Sequence, residues 1–107
     1  MKWISIELTS LNSNEVQTIY INGKKLLLVS KEESFFVFAS KCPHAGADLS
    51  NAWCKGDFLV CPVHRYQYQL LNGRGAPGQG DYLKNYPTKI ENGKLWIGFK
   101  KPWFRFW

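Results

Sequence analysis

The chain has 107 residues, 45% of them hydrophobic and 16% aromatic, with a formal net charge of +6 and three cysteines. That length suits one hydrophobic core rather than two, and five Trp, five Tyr and seven Phe exclude a disordered chain. No apolar run reaches the ~20 residues of a membrane-spanning helix. Polar residues interrupt Met1–Glu7 too early for a secretory signal, so the expectation is a cytoplasmic protein whose thiols are reduced or bound to metal. The positive charge fits three partner classes: nucleic acid, an anionic membrane or an acidic protein.

In chain order, Ile4, Ile6 and Leu8 alternate with Ser5 and Glu7 and predict a half-buried strand. Residues 16–21 and 25–30 predict two strands joined at Asn22-Gly23, because both central residues of a type I′ hairpin turn need positive φ. Residues 35–39 form a run too apolar for an open edge strand. Residues 58–60 and 66–71 predict two more strands, the second closed by Asn72-Gly73. Residues 88–90 and 94–99 flank a further turn at Asn92-Gly93. No segment sustains a helical period, so the fold class is all-β, and 1–107 reads as a single domain. Two stretches lack periodicity: 41–57, and the glycine-rich 72–81. Long irregular loops in an ordered domain point to function.

Both histidines and two of the three cysteines fall into two boxes, Cys42-Pro43-His44 and Cys61-Pro62-Val63-His64. Four such donors can converge on one metal centre. On a single ion they would make a closed, tetrahedral Cys₂His₂ zinc site. Each box, however, contributes one thiolate and one imidazole. That mixture suits a centre of two unlike irons, with both thiolates on one and both imidazoles on the other. No nucleophile–base pair, carboxylate pair or mononuclear iron ligand set accompanies the boxes, so no enzymatic substrate chemistry is expected.

The two boxes resemble those of Rieske-type [2Fe–2S] proteins, in which two His replace two Cys on one iron. The resemblance spans nearly the whole chain. It implies a Rieske-like fold of antiparallel sheets, with a small two-loop cluster-binding subdomain over approximately 41–83. It implies one [2Fe–2S] cluster per chain, with Cys42 and Cys61 on the inner iron and His44 and His64 on the outer one. Gly75-Ala76-Pro77-Gly78 resembles the proline-containing loop that covers the cluster, which gives Pro77 a covering role. Neutral imidazoles in place of thiolates raise the potential to roughly −150 to +300 mV, against about −400 mV for plant-type ferredoxins. Two ferric ions, two sulfides and two thiolates sum to zero charge, so the oxidised protein keeps a charge near +6. The implied function is one-electron transfer from a flavin reductase to an oxygenase-type acceptor. The alternatives are a non-catalytic subunit resembling the nitrite reductase small subunit, and the zinc module.

Departures from the family refine this expectation. The extra cysteines that brace high-potential members are missing: Val63 stands two residues after Cys61, and Ala45-Gly46-Ala47 follows His44. After His64 the chain reads Arg65-Tyr66-Gln67-Tyr68, so Tyr66 replaces a serine whose hydroxyl would bond cluster sulfur. A potential below that of the bc type is expected, lifted if the Tyr68 hydroxyl donates to the Cys42 sulfur. Arg65 stands where the family often has glycine, and its permanent cation would favour the reduced cluster or meet an acidic partner. Cys54 has no place in the ligand pattern and reads as a small hydrophobe. The aromatic C-terminal segment, 102–107, reads as packing beside Trp3. Scattered basic residues without a reader motif exclude nucleic acid, and membrane association is not expected. With Lys41, Lys55, Arg65 and Arg74 in or beside the ligand loops, the charge reads as a docking surface for an acidic redox partner.

Overall fold

The computed structural model describes residues 2–8, 16–31, 34–41, 48–62, 65–79 and 82–99. The strands are β1 (Lys2–Glu7), β2 (Val16–Ile21), β3 (Lys24–Lys31), β4 (Ser34–Ala39), β5 (Trp53–Lys55), β6 (Phe58–Val60), β7 (Gln67–Gln69), β8 (Asn85–Tyr86), β9 (Thr88–Glu91) and β10 (Lys94–Phe99). They form three antiparallel sheets in the orders β1-β10-β9, β2-β3-β4-β8 and β5-β6-β7.

Local chemistry sets two of the hairpins. Asn22 and Gly23 (φ 50° and 81°) join β2 to β3, and Asn92 and Gly93 (φ 53° and 73°) join β9 to β10. Positive φ at both central residues gives the twist that a two-residue hairpin needs. β4 lies between β3 and β8, as its apolar run requires.

The middle sheet is covered on both faces. On β3 the four consecutive residues Leu26, Leu27, Leu28 and Val29 are all fully buried, although neighbouring strand side chains point to opposite faces. Leu26 and Leu28 join Val37, Leu95, Ile97 and Phe99 in one core. Leu27 and Val29 join Phe38, Leu49, Leu59, Cys61, Tyr68 and Leu83 in the other. Each such side chain contributes about 1.5–3 kcal/mol of transfer free energy, so β3 is the common wall of two cores. The second core includes Cys61 of the second box and Leu49, which follows the end of the first loop.

Two strands lie outside the sequence expectations. β5 falls inside the stretch 41–57, and β8 has only two residues. Neither is long enough to show alternation. β5 is announced only by Gly56-Asp57, a hairpin dipeptide between Lys55 and Phe58. The strand expected over 66–71 is shorter, β7 covering Gln67–Gln69. Leu70 turns inward, its N–H donating to the Asp57 carbonyl at 2.9 Å, and Leu71 is exposed. Among the described residues no helix is long and apolar enough to cross a membrane. The C-terminal segment 102–107 lies outside the described residues.

Candidate metal centre

The first box leaves the middle sheet at the end of β4. Cys42 and His44 lie outside the described residues, but the two ends of their loop are defined. Lys41 and Asp48 form an antiparallel bridge, and the Leu49 N–H donates to the Ser40 carbonyl at 2.8 Å. The six residues between are thus closed at their base. Asp48 then ties that base to the β2–β3 hairpin. Its carboxylate accepts from Lys25 Nζ at 2.7 Å, from the Ser50 N–H at 2.8 Å and from Ser50 Oγ at 2.7 Å. The Ser50 hydroxyl also bonds the Thr18 hydroxyl at 3.2 Å. The Lys25 ammonium, with the two Ser50 donors, holds the Asp48 carboxyl well below the ordinary carboxylate range. The same hydrogen bond raises Lys25.

The second box lies at the other end of β6. Cys61 directly follows Val60, and its N–H donates to the Tyr66 carbonyl at 2.8 Å, which closes the loop 61–66 over the β6–β7 ladder. His64 is outside the described residues. Cys61 is completely buried, in the core that includes Leu49, Ala52, Leu59 and Tyr68. Tyr66 is half-buried and packs against that core. Tyr68 is fully buried, opposite Leu59 and Gly75 in the ladder. The sulfur of Cys42, its expected hydroxyl partner, lies outside the described residues. Cys54 is half-buried opposite Leu59 and packs against the same core, as a small hydrophobe would.

Arg65 is exposed, with φ 57°. This is the left-handed region, which costs a side-chain-bearing residue about 1–2 kcal/mol. A glycine would take that conformation without strain.

The proline-containing segment lines the free edge of β7. The Gln69 N–H donates to the Arg74 carbonyl at 2.8 Å, and the Ala76 N–H to the Gln67 carbonyl at 3.0 Å. The Gln79 N–H closes a turn onto the Ala76 carbonyl at 3.0 Å. Pro77 and Gly78 (φ 94°) occupy its centre, the residues a type II turn prefers. Pro77 is exposed. At the entry to the segment, Gly73 (φ 75°) donates to the Gln69 carbonyl at 2.7 Å and accepts from the Leu83 N–H at 2.6 Å. A Cβ there would collide with the Leu83 backbone carbonyl.

The ladder register divides the four cations expected around the boxes. Trp53 pairs with Val60, and Val60 with Gln67, at the Cys61 end of the β5–β6–β7 sheet. Lys55 pairs with Phe58, and Phe58 with Gln69, at the opposite end. Arg74 lies at the level of Gln69 and so shares that far end. Lys41 and Arg65 adjoin the boxes in sequence and are exposed, and Trp53, 41% exposed, lies at the Cys61 end of the sheet. Lys55 therefore lies at the end of this sheet away from Cys61.

Sequence reasoning missed three residues that shape the site: Asp48, Gly73 and Gln79. Asp48-x-Ser50 carried a signal, since Asp often caps the N–H two residues on. Gly73 shows in the sequence only as a turn residue. Gln79 showed no local pattern.

The surroundings of Cys61, the one expected ligand among the described residues, suit an iron–sulfur centre. A buried thiolate without a cationic partner is costly, whereas a metal-bound thiolate in an apolar shell is shielded from water and oxidant. Cys61 has that shell, with its backbone fixed by Tyr66.

The family model that matches the chain is the Rieske [2Fe–2S] domain, over residues 2–87. The chain is 29% identical over 100 residues to the ferredoxin component of the naphthalene 1,2-dioxygenase system of Pseudomonas putida, covering 91% of this chain and 95% of that protein. It is 28% identical over 85 residues to the ferredoxin component of the alkene monooxygenase system of Xanthobacter autotrophicus, covering 78% and 70%. Its fold is similar to that of the ferredoxin of carbazole 1,9a-dioxygenase from Nocardioides aromaticivorans, with a TM-score of 0.74 at 17% identity over 89% of this chain and 94% of the other. The chain belongs to the Rieske [2Fe–2S] domain family.

Proposed function

We propose that this Rieske protein is a one-electron carrier, a small ferredoxin whose single [2Fe–2S] cluster is held by Cys42, His44, Cys61 and His64. The cluster-binding unit comprises residues 41–83 of a single domain. When bound, the cluster supplies reversible one-electron chemistry at a potential above that of all-cysteine ferredoxins. The chain's own residues shield and position it. Cys61 presents its sulfur from a fully buried site, Tyr66 and Gln67 fix the loop behind it, and the segment around Pro77 lines the adjacent strand edge. Tyr68, buried in the same core, is the candidate hydroxyl donor to the Cys42 sulfur. The protein performs no substrate chemistry of its own.

The observation that carries this reading is the complete burial of Cys61 at the closed base of one box, in the core from which the other box also springs. Anaerobically purified protein is expected to be brown, with a reducible [2Fe–2S] signal in its optical and EPR spectra. A colourless protein containing zinc overturns the reading.

The partners we propose are a flavin reductase as donor and an oxygenase component as acceptor, met in the cytoplasm. Support comes from relatives named as ferredoxin components of oxygenase systems. Docking of an acidic partner is assigned to the rim that carries Lys41, Arg65, Trp53 and Pro77. Opposite charges accelerate encounter and are screened by salt. Raising ionic strength is therefore expected to slow electron transfer to the acceptor, and salt-independent rates overturn the acidic-partner assignment.

A further inference from the structure

We propose that Gln79 is the positioning residue that clamps the proline-containing segment onto the second ligand loop, and thereby controls how far solvent reaches loop 61–66. The inference rests on the reading that this loop holds the cluster.

The clamp is visible in the ladder. Residues 74–76 act as a short antiparallel partner for β7, with Tyr68 opposite Gly75. The ladder should continue with the Gln67 N–H donating to the Ala76 carbonyl. That carbonyl instead accepts the Gln79 N–H, which closes the Pro77-Gly78 turn. The Gln79 side chain fills the gap. Its Oε1 accepts the Gln67 N–H at 2.8 Å, and its Nε2 donates to the Gln67 carbonyl at 3.0 Å. A primary carboxamide offers one donor edge and one acceptor edge, as a peptide group does, and so can stand in for a strand residue.

The clamp also lies close to the proposed ligand. Gln67 follows Tyr66, whose carbonyl holds the Cys61 N–H. Consecutive peptide units therefore connect Cys61 on one side to the Gln79 carboxamide on the other. Few side chains meet the geometry. Asn is one methylene shorter, ionised Glu lacks the donor, and Lys lacks the acceptor. With the carboxamide removed, the turn that carries Pro77 keeps its inner bond to Ala76 but loses its hold on β7 beyond that residue. The Pro77–Gln79 turn then opens as a flap hinged at Ala76, whose own N–H still donates to the Gln67 carbonyl.

The test compares full-length holoprotein carrying Gln79→Ala, Gln79→Met or Gln79→Glu with the wild type. Three quantities are read: hydrogen exchange at the Gln67 amide, the rate at which an iron chelator bleaches the visible spectrum, and the midpoint potential. Exchange at Gln67 is expected to rise roughly tenfold or more in the Ala and Met variants, as the loss of two hydrogen bonds implies. Bleaching is expected to accelerate several-fold in both, and the potential to shift with the added water. Gln79→Glu keeps one acceptor and should fall between these variants and the wild type. Wild-type bleaching and potential in Gln79→Met overturn the clamp, because that variant retains bulk and loses only the hydrogen bonds. A wild-type protein that binds no cluster is a separate failure, that of the underlying reading, and its lack of colour identifies it.

Discussion

The two ligand loops spring from one buried core, yet different chemistry ties each of them down. The first, between Lys41 and Asp48, is closed by one backbone bridge and then moored through exposed side chains to a neighbouring hairpin: Lys25, Ser50 and Thr18 converge on the Asp48–Ser50 turn. The second, between Cys61 and Tyr66, is closed by backbone bonds within its own hairpin and backed by a strand-like segment. Charge in water is sensitive to pH and salt. Backbone ladders are indifferent to both but intolerant of altered chain geometry. A centre shared between the two loops therefore has one side that answers to solution conditions and one that answers to steric change.

The largest expected effect tests the steric side. Gly73 stands where the segment behind the second loop leaves β7, at φ 75°, with the Leu83 backbone in the place a Cβ would take. Gly73→Ala combines a left-handed penalty with a collision that no side-chain rotation relieves. A loss of about 2–4 kcal/mol in denaturant unfolding is expected. Gly78→Ala is the control, since its φ is 94° but nothing lies near the added methyl. It should lose only the conformational part, about 1–2 kcal/mol. Equal losses would show that the approach of Leu83 does not matter and that the second loop has slack.

These differences also explain which features were legible in the sequence. The Asn22-Gly23 and Asn92-Gly93 hairpins were, because their turn chemistry is local. The apolar run 35–39 announced a strand that is not an open edge, and β4 does lie between β3 and β8. The ligand boxes stood out because they used every histidine in the chain. What stayed hidden depends on register. Lys55 reads as a cation in or beside the ligand loops, but the β5–β6 pairing places it opposite Phe58, away from Cys61. The Lys25–Asp48 pair joins residues 23 apart and the Gln67–Gln79 pair residues 12 apart. Neither has a periodic signature, because each depends on which strands the sheets bring together. The charge of Arg65 is plain in the sequence, while its backbone strain shows only in φ.

The next effect in size belongs to the solution-sensitive side. Asp48 is held below its ordinary value of 3.8, first by the Lys25 ammonium and then by Ser50. A depressed carboxyl stabilises the fold above its unfolded pKa, and that contribution disappears as pH falls through the folded value. Lys25, raised above 10.5, contributes below that pH and loses its contribution above it. The stabilisation from the mooring is thus complete between about pH 4 and pH 10 and declines as pH falls below or rises above that window. Asp48→Asn should lower the melting temperature at neutral pH and flatten its decline below pH 4 relative to the wild type. High salt should narrow the gap between the two proteins. An acid limb of unchanged steepness in Asp48→Asn would remove this ion pair from the account of the first loop.

The smallest effect concerns Arg65, where strain and charge meet in one exposed residue of the second loop. Its left-handed backbone costs about 1–2 kcal/mol, and glycine's extra unfolded-chain entropy takes back about 0.5–1 kcal/mol. Arg65→Gly is therefore expected to stabilise the protein by about 0.5–1 kcal/mol. The same substitution removes a cation that favours the more negative, reduced centre, so the midpoint potential should fall, by less at high salt. Arg65→Lys separates the two contributions: it keeps both charge and strain, and should match the wild type in stability and in potential. A Gly variant that gains stability at unchanged potential would leave Arg65 as a docking charge alone. One whose potential falls without a gain in stability would show that the loop relaxes around the left-handed residue. The second loop would then be less rigid than its backbone ladder implies, and the contrast between the two loops would narrow.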